Sequence, residues 1–170
     1  MSGSAEFEPD PRTVVGHVHL KVSDLERARQ FYVGVLGMNV TATWPGALFL
    51  SFSDYHHDLA LNTWHSEGGS QPPPGTTGLF HVALRVPDRR ELARVVRRLT
   101  DAGIPIEGAS DHLVSEAIYL SDPDGNGIEI YADRDRSEWE WRDGRVRMAT
   151  EPLDLRSLMQ QLDAEPDQAS

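Results

Sequence analysis

The sequence predicts an α+β fold of two βαβββ modules that share one curved sheet. Three observations carry this. The chain repeats at an offset of 64 residues: His17 falls on His81, Val18 on Val82, Leu20 on Leu84, Val22 on Val86 and Asp24 on Asp88, with Lys21 on Arg85. In each copy a short strand pattern meets an Asp placed to cap a helix. Each helix is then followed by three strand-like runs. Four strands and one helix cannot cover both faces of their own sheet, so two such modules are expected to complete one another.

The elements follow in order. Residues 1–12 are polar and acidic and read as a disordered tail. The first module spans 13–64. It opens with the strand "GHVHLKV" (16–22) and continues into the helix "DLERARQFYVGVLG", whose stripe of Leu25, Ala28, Phe31, Tyr32, Val35 and Leu36 ends at Gly37. Strands are expected over 38–44, 47–53 and 58–63. The run "HSEGGSQPPPGTTG" (65–78) is rich in Gly and Pro and reads as a linker. The second module, 79–136, opens with "FHVALRV" (80–86). Its helix carries the stripe Leu92, Val95, Val96 and Leu99 and closes at Gly103. Strands are expected over 104–109, 115–121 and 126–132. Residues 137–170 form a C-terminal extension. Its segment 137–162, with a short helix near 153–162, is expected to pack on the modules and to close or dimerise the pocket.

Composition narrows the function. The 170 residues are 39% hydrophobic and 25% charged, an ordinary globular balance. No apolar run approaches the ~18 residues that span a bilayer. The acidic N-terminus lacks the basic start and apolar centre of a signal peptide. The absence of cysteine excludes disulfides, thiolate metal sites and Cys nucleophiles, and fits a cytoplasmic location. The net charge is -11, much of it in the two ends. Nucleic acid is not expected as a partner, because neutralising phosphates needs clustered Lys and Arg.

The chemistry lies in the repeat. Imidazole is an awkward core group, so His17 and His81 at equivalent positions of two modules need a reason. A pseudo-twofold would bring them together. In "NGIEIYA", Glu129 stands between Ile128 and Ile130 and so points to the face opposite them. Two imidazoles and one carboxylate are the ligand set of a facial triad, which leaves positions open for substrate and dioxygen; Mn(II) and Zn(II) also accept these ligands. His19 lies two residues from His17 but maps to Ala83, so it is expected beside the site rather than on the metal. The first module's counterpart of Glu129 is Ala60, which offers no fourth ligand. Trp44, Phe49, Phe52, Trp64, Trp139 and Trp141 are candidates to line a pocket for an aromatic ring.

"GHVHLKVSDLERARQFYVGVLGM", "YHHDLAL", "FHVALRV" and "SEAIYLSDPDGNGIEIYADR" together resemble the vicinal oxygen chelate superfamily. Within it they look most like the catechol 2,3-dioxygenase-like extradiol ring-cleavage proteins. The resemblance covers roughly residues 13–140. It implies a curved, open mixed-sheet barrel and an Fe(II) site, with Mn(II) or another divalent metal as the alternative, held by His17, His81 and Glu129. It also implies three catalytic residues. His57, the second member of "HHDLAL", is the acid–base histidine. Tyr119, ten residues before Glu129, stands near the substrate oxygens. The family's further histidine falls at Ser110, with His112 two residues on as the candidate. His56 is expected to point away from His57, as neighbours on an extended chain do.

The expected activity is Fe(II)-dependent extradiol cleavage, inserting both atoms of O2 into a catechol. The expected partners are an aromatic diol, dioxygen and further copies of the chain, in a homodimer or higher oligomer. The same scaffold also hosts glyoxalase-like lyases, epimerases and metal-free resistance proteins that bind small molecules.

Overall fold

The computed structural model describes residues 8–163. Residues 1–7 and 164–170, expected to be disordered, lie outside the described residues. Residues 10–13 form a turn in which the Thr13 N–H donates to Asp10 O over 2.9 Å.

The first module runs β1 (Val18–Lys21), α1 (Leu25–Arg29), β2 (Asn39–Trp44), β3 (Ala47–Ser51) and β4 (Leu59–Asn62). The second runs β5 (Val82–Val86), α2 (Arg89–Asp101), β6 (Gly108–Asp111), β7 (Ser115–Ser121) and β8 (Gly127–Asp133). The extension adds the small hairpin β9 (Trp141–Arg142) and β10 (Arg145–Val146), then β11 (Glu151–Pro152) and α3 (Leu155–Met159). The fold class is the α+β one expected.

The Asp caps work as predicted. Asp24 accepts from the N–H groups of Glu26 and Arg27, and Asp88 accepts from that of Glu91. Both helical segments end at the expected glycine, Gly37 at φ 82° and Gly103 at φ 68°, a conformation that costs a side-chain-bearing residue about 1–2 kcal/mol.

Three local expectations are corrected. The first helix is α-helical only to Arg29; Gln30–Val35 is a π-helical stretch, closed by Leu36 N–H on Phe31 O at 2.9 Å. The wider turn lets the adjacent Phe31 and Tyr32 both enter the core, at 3% and 0% exposure. The strand expected over 104–109 forms at Gly108–Asp111 instead, because Pro105 has no N–H to give a ladder while Ile104 and Ile106 dock on the core. His17 and His81 stand one residue before β1 and β5 rather than inside them. The mixed-sheet architecture is the one expected, its hydrogen-bonded strands ordered β1-β4-β3-β2 in the first module and β11-β6-β7-β8-β5 in the second.

The repeat is visible in the ladders. β1 pairs with β4 in parallel, His19 opposite Ala60, and β5 pairs with β8 in parallel, Ala83 opposite Glu129. The two sheets share one core, in which Leu20, Phe31 and Leu61 of the first module join Leu92, Leu99 and Ile128 of the second. The extension enters it too. Leu158 is fully buried, and Arg89 donates to Ser157 O at 3.2 Å. Among the described residues no helix is long and apolar enough to cross a membrane.

Polar contacts fix the modules to each other. The "DPDGNG" turn between β7 and β8 reaches into the first module. Tyr32 Oη donates to Asp122 Oδ2 at 2.9 Å, while Ser23 Oγ and Arg27 donate to Asp124 Oδ1 at 2.6 and 2.7 Å. Arg98 of α2 donates to Gly34 O at 2.9 Å. Burial, reinforced by the Asp122 charge, pushes the Tyr32 hydroxyl far above the ordinary phenol range, so it remains a donor. Tyr32→Phe keeps the ring's packing but removes one donor from buried Asp122, which still has the N–H groups of Asp124 and Asn126 and the Asn126 amide. The expected loss is about 1.5–3 kcal/mol, the worth of a hydrogen bond to a charged group. It should appear as a lower urea midpoint at unchanged slope.

Candidate functional site

The candidate residues gather in two groups, one on each module. On the second, β8 carries Glu129 on the face opposite its buried neighbours Ile128 and Ile130. His81, at the entry to β5, reaches it: Nε2 stands 3.0 Å from Glu129 Oε2. The other carboxylate oxygen accepts from Tyr119 Oη at 2.8 Å, because β7 and β8 pair with Tyr119 opposite Glu129. The phenol is in turn 2.6 Å from His112 Nε2. His81, Glu129, Tyr119 and His112 thus form one continuous chain of contacts.

The His112 end of that chain is fixed. His112 Nδ1 faces the carbonyl of Ala149 at 2.8 Å, and a carbonyl can only accept, so Nδ1 carries a hydrogen. The phenol's one hydrogen goes to Glu129 Oε1, so the 2.6 Å contact with Nε2 fixes where the hydroxyl sits. Burial, with the Glu129 hydrogen bond and charge behind it, pushes the Tyr119 hydroxyl up to about 12. The hairpin carrying His112 is pinned by Asp111, which takes Arg134 in an ion pair and the Leu113 N–H at 2.8 Å. Burial raises the Asp111 carboxyl, but these bonds outweigh it and hold it below the usual carboxylate range.

On the first module His17 packs against His57, ring centroids 4.4 Å apart, and His57 meets Phe49 edge-on at 5.1 Å. His56 does not point away. Residues 52–56 bend rather than extend, and His56 Nδ1 lies 2.7 Å from His57 Nδ1. Partial burial first, then His17, His56 and His19, hold His57 below the ordinary imidazole value, against a smaller pull from Asp58. His19 makes its closest polar contact with Asn62. The Trp64 N–H fixes the Asn62 amide by donating to Oδ1, so Nδ2 donates to His19 Nε2 at 2.8 Å and that nitrogen accepts.

Of the six aromatic candidates, three gather here. Trp44 meets Phe49 at 5.2 Å and Trp64 meets His19 at 5.6 Å. Trp139 instead packs under Arg136, Trp141 belongs to the β9–β10 hairpin, and Phe52 lines a separate cleft of about 990 Å³ with Leu36, Leu84 and Arg98. That cleft holds none of the candidate site residues.

No hydrogen bond, ion pair or ring contact among the described residues joins His17 to His81 or Glu129, and no group of three or more His, Cys, Asp or Glu side chains there is assembled to hold a metal. The donor chemistry of the second group nevertheless fits a divalent cation. An imidazole nitrogen and a carboxylate oxygen converge where a cation would take the place of the shared proton, and Tyr119 orients the carboxylate from outside. Ala60 is fully buried and carries no ligating atom. One contributor was not foreseen: Ala149 acts through its backbone, which leaves no trace in residue type.

Comparison with known proteins places this arrangement. Residues 14–130 match the model of the Glyoxalase/Bleomycin resistance protein/Dioxygenase superfamily. The chain is 41% identical over 150 residues to a catechol-2,3-dioxygenase of Bacillus subtilis, covering 88% of this chain and 52% of that protein. It is 34% identical over 121 residues to biphenyl-2,3-diol 1,2-dioxygenase 3 of Rhodococcus globerulus, covering 70% of this chain and 63% of that one. The chain thus spans about half to two thirds of these relatives. Among solved structures, a glyoxalase/dioxygenase from Nostoc punctiforme superposes with a TM-score of 0.63 at 23% identity, covering 79% of this chain and 100% of its own, a likeness of fold. A repeated βαβββ unit, a histidine at the entry to each module and this match over most of its length place the chain in the glyoxalase/bleomycin resistance/dioxygenase superfamily.

Proposed function

We propose that the protein is an Fe(II)-dependent extradiol dioxygenase that inserts both atoms of O2 into a catechol. The observation that carries this reading is Glu129 shared between His81 and Tyr119, with His112 behind the phenol. His17, His81 and Glu129 would hold the metal, with Mn(II) or another divalent ion as the substitute. When bound, Fe(II) supplies open positions for the two catechol oxygens and for dioxygen, so that the reactants meet in one coordination sphere.

The chain's own residues do the rest. His57, held below its ordinary pKa, is neutral near pH 7 and takes a proton from the catechol once the ring is seated. Tyr119, held protonated, donates to oxygen as negative charge develops there. His112 Nε2 holds the Tyr119 hydroxyl in place while Ala149 O fixes the imidazole ring. Trp44, Phe49 and Trp64 offer aromatic faces to a flat ring. The identity to two named diol dioxygenases supports the substrate class.

Protein loaded with Fe(II) without air should consume oxygen with at least one member of a catechol panel and place both atoms of labelled dioxygen in the product. Bound Fe(II) with no oxygen uptake across the panel would shift the reading to a glyoxalase-like lyase or epimerase on the same scaffold.

A further inference from the structure

We propose that Arg134 is a positioning residue of the site: from the far face of the sheet it holds the β6–β7 hairpin in the one shape that aims His112 at the Tyr119 hydroxyl. This rests on the reading that Tyr119 and His112 serve the reaction.

The hairpin is strained where it carries the histidine. His112 follows β6, and Leu113 beside it has φ 67°. Only glycine takes that region freely. A strained backbone persists where its surroundings hold it, and three bonds do so here. The His112 N–H donates to Ser115 O, the Leu113 N–H to Asp111 Oδ1 and the Arg134 N–H to Val114 O, each over 2.8 Å. The Arg134 guanidinium also takes Asp111 in its ion pair. Arg134 thus grips the turn on both sides of Leu113.

The pleat separates this clamp from the chemistry. Asp111 stands opposite Glu116 in the β6–β7 ladder, and Tyr119 stands opposite Glu129 in the β7–β8 ladder. Glu116 and Tyr119 are three residues apart on one strand, so they point to opposite faces. Glu116 meets Arg89 of α2 at 2.6 Å, which places it and Asp111 on the face that the helix covers. The bonds of the Arg134 side chain go to Asp111, Glu116 and Glu138, and none goes to His112, Tyr119 or Glu129. What Arg134 does for the site it does through Asp111 and the turn.

Charge makes that grip necessary. β11, β6 and β7 set Glu151, Asp111 and Glu116 opposite one another in a row. Residues directly opposite share a face, and like charges so placed push strands apart. Arg89 offsets Glu116 from one side. Arg134 stands between the other two strands' carboxylates, paired with Asp111 and 3.0 Å from Glu116 Oε1. The same strand edge carries Ala149, whose carbonyl faces His112 Nδ1 at 2.8 Å and whose N–H donates to His112 O at 3.3 Å. Without Arg134 the row lacks its central cation, and the edge that holds His112 from both sides loosens.

Arg134→Gln tests this with two readouts. The first needs neither metal nor substrate. Nitrogen NMR of histidine-labelled wild-type protein should show His112, assigned by the signal missing in His112→Ala, with a hydrogen fixed on Nδ1. In Arg134→Gln the ring should exchange between the Nδ1–H and Nε2–H forms. The second is kinetic, on protein of verified iron content. Here kcat should fall roughly 10–100-fold, as when a reacting group is misplaced by about 1 Å, with KM within about twofold and iron unchanged. In a His112→Ala background the same substitution should cost nothing further in kcat, because the group it positions is already gone.

Losing an ion-pair partner can weaken the fold, so Leu113→Gly is added as a second variant. Glycine takes φ 67° without help. Arg134→Gln combined with Leu113→Gly should therefore fold and regain part of the lost kcat, together with the fixed Nδ1 hydrogen. A fixed Nδ1 hydrogen retained in Arg134→Gln, an equal kcat loss in the His112→Ala background, or iron lost along with turnover would overturn the positioning role. Wild-type protein with no turnover across the catechol panel would instead overturn the dioxygenase reading, and the NMR comparison would then decide Arg134 by itself.

Discussion

Glu129→Gln is expected to abolish metal retention and, with it, catechol turnover, while the fold survives. The substitution keeps the shape of the side chain and removes its charge. The Gln carbonyl can still accept from Tyr119 Oη, and its amide can donate to His81 Nε2, so neither neighbour is left unpaired. What disappears is the only anion among the three proposed ligands. Outer partners of a ligand are typically worth roughly 10–100-fold in metal affinity, so loss of a ligating carboxylate should cost at least about 100-fold. Dialysis against a weak chelator followed by metal analysis measures this.

A second readout needs no metal. Burial, with Glu129's hydrogen bond and negative charge behind it, pushes the Tyr119 hydroxyl up to about 12. A phenolate beside a carboxylate is disfavoured, and removing the carboxylate charge removes that penalty. In Glu129→Gln the Tyr119 titration, followed by phenolate absorbance, should therefore move down toward the ordinary phenol value of about 10. A Gln variant that holds stoichiometric metal after dialysis removes Glu129 from the ligand set, whatever Tyr119 does.

The repeat was readable because both modules place the same apolar pattern on the same backbone. His17 and His81 mark equivalent entries, and the ladders match in register, His19 with Ala60 and Ala83 with Glu129. Glu129 stood out because an isolated carboxylate between two isoleucines has one face to go to. The helix caps were readable because an Asp before an apolar stripe has a local job.

Other features left no such trace. Strands of two residues, such as β9, β10 and β11, are too short to show a period. The π-helical stretch carries apolar spacing that an ordinary helix would also carry. Ala149 holds His112 through a carbonyl that every residue possesses, 37 positions away in sequence. The separation of His17 from His81 depends on how the modules dock. The repeat encodes each module but not the contact between them, to which the shared core, Arg98 and the turn's Asp122 and Asp124 all contribute.

His57→Phe should retain metal and bind catechol, yet turn over roughly 10²–10⁴-fold more slowly, the usual worth of a positioned acid–base group. Phenylalanine preserves the ring that packs on His17 and on Phe49, so the first module's face keeps its shape. It removes the nitrogen that would accept a catechol proton. The loss should fall on kcat and leave catechol affinity nearly unchanged, because the proton moves after the ring is seated. His56 enters through its 2.7 Å contact with His57 Nδ1, which orients the ring. His56→Ala should therefore cost on the order of tenfold, about 1.4 kcal/mol or one hydrogen bond. Steady-state kinetics on protein of verified iron content separates the cases. If iron and turnover both persist in His57→Phe, the proton passes through His112 or His19 instead. If iron itself is lost, His57 ligates the metal beside His17 and the open three-ligand arrangement must be redrawn with four.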